Sequence, residues 1–554
     1  MRLILASAAM ALSLAACTAD TPPPEPASPP TPRISVDTMK HVVQEISSDA
    51  YEGRAPGSVG EEKTLAFLES AFGKAGLQPG NKGSWLQPVP LVEITAKNVS
   101  PLTFKGPNTD MSLQYGPEMM AFGYRVTPHT EVRDSPVVFV GYGINAPERG
   151  WNDYAGVDVK GKTVIILVND PDYETEGLEG PFGGRAMTYY GRWTYKYEEA
   201  ARQGAAAAII VHDTVPAAYG WNVVESSWTG PQHVADAANG HMDQTKVNGW
   251  IQLDKAKALM ASVGQDLDTL MANAKKPGFK AVDLGVTASL SFDSEIKKQM
   301  SNNVIGILPG KTRPDEYVLY TAHWDHLGRC KPDETGDDIC NGAIDNGTGV
   351  AALVALAEAH AKAGPVDRTL IFLAVTAEES GLLGAGYYGD HPIYPLEKTA
   401  GGVNMDAMLM SGAARNIVVI GKGKSQLDDY LEKALAAQDR VATNEPTPEK
   451  GFYYRSDHFT LAKHGVPMIY AKNGDDLVEG GKEAGLAILN AYTQDHYHAP
   501  SDEYDPDWNW EGVTADVQLY YDVGRALAST ADWPNWVEGD EFRAIRDKSA
   551  DQRK

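Results

Sequence analysis

Cysteine is scarce, with three residues in a chain of 554. Two of them, Cys330 and Cys340, flank the polar stretch KPDETGDDI. A metal site built on this pair is disfavoured because no third or fourth soft ligand lies nearby. In an oxidising compartment the pair is expected to form a disulfide that pins a loop, although spacing alone does not prove the connectivity. Basic residues are also in short supply, since 49 Lys+Arg face 74 Asp+Glu for a formal net charge of -25. That balance disfavours nucleic acid and anionic membrane surfaces as partners, and its plain use is solubility. Sequence repeats are missing, and the first apolar stretch, Leu3 to Ala16, is too short to span a bilayer.

What that stretch does suit is export, because it follows one early positive charge. Its ending, Leu14-Ala15-Ala16-Cys17, resembles a bacterial lipoprotein cleavage box, which implies a signal peptide over residues 1–17, lipidation of Cys17 and a lipid anchor. Residues 18–33, rich in proline and poor in apolar side chains, read as an extended tether between that anchor and a folded body. Thr18 in place of Asp favours, by resemblance to known sorting signals, the outer membrane, facing the periplasm or the cell surface.

The length argues for more than one domain. Residues 34–111 open with the Gly/Pro-rich loop YEGRAPGS and a helical pattern, with Leu65, Leu68 and Phe72 on one face and Gly76 at its end. Residues 112–290 change to short apolar strands such as KTVIILVND and AAAAIIVHD, and carry no catalytic constellation. Residues 291–540 alternate strand and helix, which predicts an α/β fold with a mixed, largely parallel central sheet flanked by helices. Residues 541–554 form a charged tail expected to fray.

In such sheets ligands gather beyond the carboxyl ends of the strands. Polar residues stand there five times: His323 and Asp325 in AHWDH, Asp345 in GAIDNGTG, Glu378 and Glu379 in TAEES, Asp406 in VNMDAM and His498 in YHAPSD. Two adjacent glutamates after the buried run LIFLAV resist joint ionisation, so something must compensate them. Imidazoles and carboxylates together suit two divalent cations, zinc by preference, with one carboxylate bridging them. One glutamate can then bind metal while its neighbour accepts a proton.

These segments, in this order, resemble the co-catalytic di-zinc aminopeptidases of clan MH, a family that also contains glutamate carboxypeptidases and transferrin-receptor-like proteins. By the same resemblance, residues 112–290 look like an inserted β-rich protease-associated domain. The resemblance implies that Asp345 bridges the metals, His323 and Asp406 complete one site, and Glu379 and His498 complete the other. It makes Glu378 the general base, Asp325 the acid that orients His323, and Tyr497 an oxyanion donor. Arg455 and Asp457 fall on its substrate-facing loop. The segment from His323 to Asp345, with both cysteines inside it, is longer than in compact members and is expected to form a rim of the site. The implied activity is an exported aminopeptidase acting on peptides. A carboxypeptidase of the same machinery is the runner-up, and an inactive receptor-like binding protein is disfavoured because every ligand position and the base are filled.

Overall fold

The computed structural model describes residues 32–553. Cys17, the signal sequence and nearly all of the proline-rich tether lie outside them. Among the described residues no helix is long and apolar enough to cross a membrane.

One sheet carries the chemistry. Arg313–His323 lies parallel to Arg368–Val375 on one side and to Thr399–Asn404 on the other, and Thr399–Asn404 is followed in parallel by Met468–Lys472. Antiparallel strands flank this group: the end of Val282–Leu308 against Arg368–Val375, and Asn416–Val419 against Met468–Lys472. Every residue of Arg368–Val375 and Thr399–Asn404 is buried, as expected of strands covered on both faces. The helices Val36–Ile46, Gly349–Ala363 and Glu511–Ser529 share one core with the sheet, while Ala385, Tyr388 and Leu461 from two shorter helices fill the core on its other face.

The helical pattern near the start closes as the sequence dictates. Ser58 caps the helix Val59–Ala75 by accepting from the Glu61 amide, and Gly76 ends it in the left-handed region at φ 93. Leu68 and Phe72 are fully buried and anchor it to the sheet. Each such side chain contributes roughly 1.5–3 kcal/mol by burial.

A second unit has its own cores. Its inner strands, Thr163–Leu167, Ala207–His212 and Val247–Gln252, are mutually parallel, with the helix Trp193–Arg202 between the first two. It is thus an α/β unit rather than simply β-rich, because these strands are buried along almost their whole length and need cover on both faces. Its core takes in Leu102 and Phe104, upstream of the expected boundary at residue 112. The 27-residue strand Val282–Leu308 runs through both units.

The C-terminal tail corrects the expectation of fraying. Residues Arg543–Lys548 form a helix, and Arg546, buried, donates to the carbonyls of Thr399, Ala400 and Pro534. Charge alone suggested a solvated tail; a guanidinium with backbone acceptors is held instead.

Candidate metal centre and active site

The parallel strands end in register, so their trailing residues converge. His323 pairs with Val375 across the ladder, three residues before Glu378, and Asn404 pairs with Thr321, two residues before Asp406. His323 Nε2 stands 3.3 Å from Asp345 Oδ1, 3.7 Å from Asp406 Oδ1 and 3.9 Å from Glu378 Oε2. His498 Nε2 lies 3.0 Å from Glu379 Oε2 and 3.6 Å from Asp345 Oδ2. Asp345 therefore stands between the two imidazoles, and all of these groups are buried or nearly so.

The turns that present these groups are braced by neighbours. Asn346 accepts from the Gly349 and Ala407 amides and donates to the Met405 carbonyl, tying the Asp345 turn to the Asp406 turn. Asp502 accepts from the Ile344 and Asp345 amides. Gly342 precedes the turn at φ +55, and a Cβ there would come within 2.5 Å of His326 Cγ. The Asp345–Asn346 peptide is cis.

Asp325 faces both His323 and the glutamate pair. The ring Nδ1 of His323 lies 3.1 Å from the Asp325 backbone carbonyl, whereas the Asp325 carboxylate is 3.8 Å away. That carboxylate also accepts from the amides of Glu378 and Glu379 and so holds the glutamate pair in place. Tyr497 stacks on His498 with ring centroids 3.9 Å apart, and its hydroxyl lies 3.3 Å from an Arg455 guanidinium nitrogen. Arg455 and Tyr497 both line the cavity that opens on Asp345, Glu378 and Asp406. Asp457 is fully buried with neither carboxylate oxygen hydrogen-bonded, and makes no part of that lining.

Cys330 and Cys340 are joined in a disulfide, Cα atoms 5.9 Å apart, beside the two-stranded ladder of Gly328–Arg329 with Ile339–Cys340. Lys331 reaches from this loop to Glu225 of the second unit, 3.1 Å away.

Residues 303–521 match peptidase family M28. This segment is an M28 peptidase domain. Aminopeptidase YwaD of Bacillus subtilis (strain 168) is 25% identical over 205 residues, which is 37% of this chain and 42% of that protein. Aminopeptidase NAALADL1 of Mus musculus is 29% identical over 146 residues, 25% of this chain and 18% of that protein. The chain thus spans less than half the length of these curated relatives. The solved aminopeptidase from Aneurinibacillus sp. strain AM-1 shares the fold, with a TM-score of 0.53 and 20% identity over 90% of this chain and 94% of that one.

Electrostatics separate the two glutamates of the M28 domain. Burial pushes the Glu378 carboxyl well above the usual range, with Asp457, Glu379 and Asp406 adding to that push and His323 opposing it. Burial acts on Glu379 too, but His498 and His326 outweigh it and hold that carboxyl at about 2. The imidazoles tell the same story from the other side. Burial disfavours their charge, yet Glu378, Asp345 and Asp406 raise His323 well above its ordinary value, and Glu379 and Asp345 raise His498 to about 10. A site that forces protons onto two buried imidazoles is short of positive charge. His323 Nε2 is moreover buried without a hydrogen-bond partner. Both observations fit divalent cations, and His323, Asp345 and Asp406 offer ligand atoms within 4.8 Å of one another, as do His326, Asp345 and Glu379.

Three residues escaped the sequence reading. His326, the last residue of AHWDH, hydrogen-bonds through Nδ1 to Glu379 Oε1 at 2.6 Å. Its spacing from His323 was the available signal. Arg54, in YEGRAPGS, is fully buried and donates to the carbonyls of Trp324, Ile46, Asn341 and Gly342, clamping the segments on either side of the disulfide loop. Ser227, from the second unit, lies 2.9 Å from His498 Nδ1. Nothing local in the sequence marks it.

Proposed function

We propose that this protein is an exported metallo-aminopeptidase that hydrolyses the N-terminal peptide bond of peptides. The observation that carries the reading is the split glutamate pair. Glu379 stands between the imidazoles of His326 and His498, at 2.6 and 3.0 Å, and Glu378 lines the cavity with Oε2 3.9 Å from His323 Nε2. In this reading His323, Asp345, Glu379, Asp406 and His498 would hold two divalent cations, zinc by preference. Bound there, the cations supply Lewis acidity and positive charge.

The chain's own groups do the rest. Glu378 takes a proton from the attacking water and delivers it to the leaving amine nitrogen. The Tyr497 phenol donates to the carbonyl oxygen as negative charge develops there, while Arg455 steadies the Tyr497 hydroxyl. Asp325 keeps the glutamate backbone aimed by accepting two of its amides. The second unit adds Ala218 to the cavity lining and sets Ser227 against His498 Nδ1.

Aminoacyl fluorogenic substrates, assayed with and without chelator and beside an N-acetylated peptide, test the assignment. Chelator-sensitive release from free but not acetylated N-termini is expected. Cleavage that survives acetylation would sink the aminopeptidase reading in favour of a carboxypeptidase. We extend the proposal to location: Leu14-Ala15-Ala16-Cys17 and the proline-rich tether support lipid anchoring at the outer membrane. Cys17→Ala should release the protein from membranes or block its processing, whereas a soluble wild-type protein with an unmodified N-terminus would refute the anchor.

A further inference from the structure

The cavity beside Glu378 has apolar walls, among them Leu409, Val418, Ile420 and Leu489, and it also takes Glu445 into its lining. Glu445 immediately follows the strand Val441–Asn444. Its Oε2 is buried and has no hydrogen-bond partner. Burial, with the charge of Glu449 adding, pushes its carboxyl up to about 8. Of the cations nearby, Lys450 acts on Glu449 rather than on Glu445, and three others are already engaged. Arg185 of the second unit pairs with Glu449 at 2.9 Å, Arg455 meets the Tyr497 hydroxyl, and Lys472 donates to the Asp406 carbonyl.

A buried carboxylate without a partner is costly, and a ligand cation that pairs with it offsets the cost. Apolar walls in the cavity that holds both the catalytic acids and that carboxylate suit methylene groups, as long charged side chains lay their stems on apolar surface. We propose that this cavity selects a long side chain with a terminal cation, lysine or arginine, its stem against the apolar walls and its ammonium or guanidinium on Glu445. The proposal rests on the aminopeptidase reading and names the substrate class of that site.

Norleucine is the control, because it keeps the length of lysine without the ammonium. The measurements are kcat/KM for lysyl- and norleucyl-aminomethylcoumarin with the zinc-loaded protein, Glu445→Gln and Glu445→Leu. Calorimetric binding of free L-lysine and L-norleucine to the same proteins accompanies them. Wild type should prefer lysine. Glu445→Gln should lower the lysyl rate and affinity by about 10- to 100-fold while norleucine stays within about 2-fold, and Glu445→Leu should reverse the preference. A lysine to norleucine ratio that is the same in wild type and both variants overturns the proposal. An equal loss for both substrates overturns it as well, since Glu445 would then hold the α-ammonium group. If no substrate is cleaved but lysine binds better than norleucine only when Glu445 is present, the cavity assignment stands and the hydrolytic reading falls. Neither binding nor turnover with any ligand overturns both.

Discussion

The M28 domain and the second unit face the same cavity with opposite chemistry. The former brings buried charge on the ends of parallel strands, in His323, Glu378, Glu379 and Asp406. The latter brings uncharged contacts: Ser227 on the far nitrogen of His498, Ala218 in the lining, and the Tyr219 ring 5.5 Å from the Arg455 guanidinium. Charge needs a rigid backbone that can hold repelling groups at fixed separations, and a buried sheet supplies it. Shape and orientation can be added from outside, across a contact such as Met187 to Pro448 or Asn169 to Glu449.

The sharpest way to break this contrast is inside the glutamate pair. Glu378→Gln keeps shape and removes basicity, so turnover should fall by at least about 10²- to 10⁴-fold with two metals retained by elemental analysis. Glu379→Gln should instead drop metal content toward one ion per chain and recover part of its activity in excess zinc, since a neutral amide is a poor ligand. Two variants that both keep metal and near-normal activity would reduce the pair to an ordinary strand end.

From the second unit the effects should be smaller. Ser227→Ala frees His498 Nδ1, and metal affinity should weaken by about 10-fold in competition with a chelator, in line with losses at groups that orient metal ligands. An unchanged affinity would leave Ser227 as mere packing. Cys340→Ser opens the loop that carries Lys331 toward Glu225 and should cost about 2–3 kcal/mol in denaturant unfolding. Arg185→Ala removes a partly exposed pair with Glu449 and should cost about 0.2–1 kcal/mol, becoming smaller still in high salt. A loss several times larger would mean that this contact holds the two units together.

What the sequence made legible follows from locality. Each strand end of the M28 domain announces itself, because an apolar run must stop before a polar residue can reach the cavity, as LIFLAV stops before Glu378. The parallel sheet followed from the same runs. Asp325 was found, but spacing does not say that its carbonyl lies nearer His323 than its carboxylate does, nor that the carboxylate also holds the glutamate amides. Ser227 and Glu445 stayed hidden for a different reason. Their meaning comes from segments far away in the chain, and neither a serine at a helix end nor a glutamate after a short strand is unusual on its own terms. The charged tail misled because hydropathy ignores what backbone carbonyls can accept, as they do from Arg546.

The strand Val282–Leu308 also bears on how the chain assembles. Its middle pairs with Leu86–Lys97, and its end closes onto Arg368–Val375, so the ladder joins segments that have the whole second unit between them in sequence. On a ribosome, Leu86–Lys97 emerges early and waits without that partner while the intervening residues are made. The second unit, whose parallel strands are close in sequence, can condense first and bring the two ends together, which shortens the effective loop still to be closed. A lesion in its core, such as Ile165→Ala, should therefore delay the M28 domain as well, and pulse-labelled chains would show protease-sensitive catalytic segments long after synthesis ends.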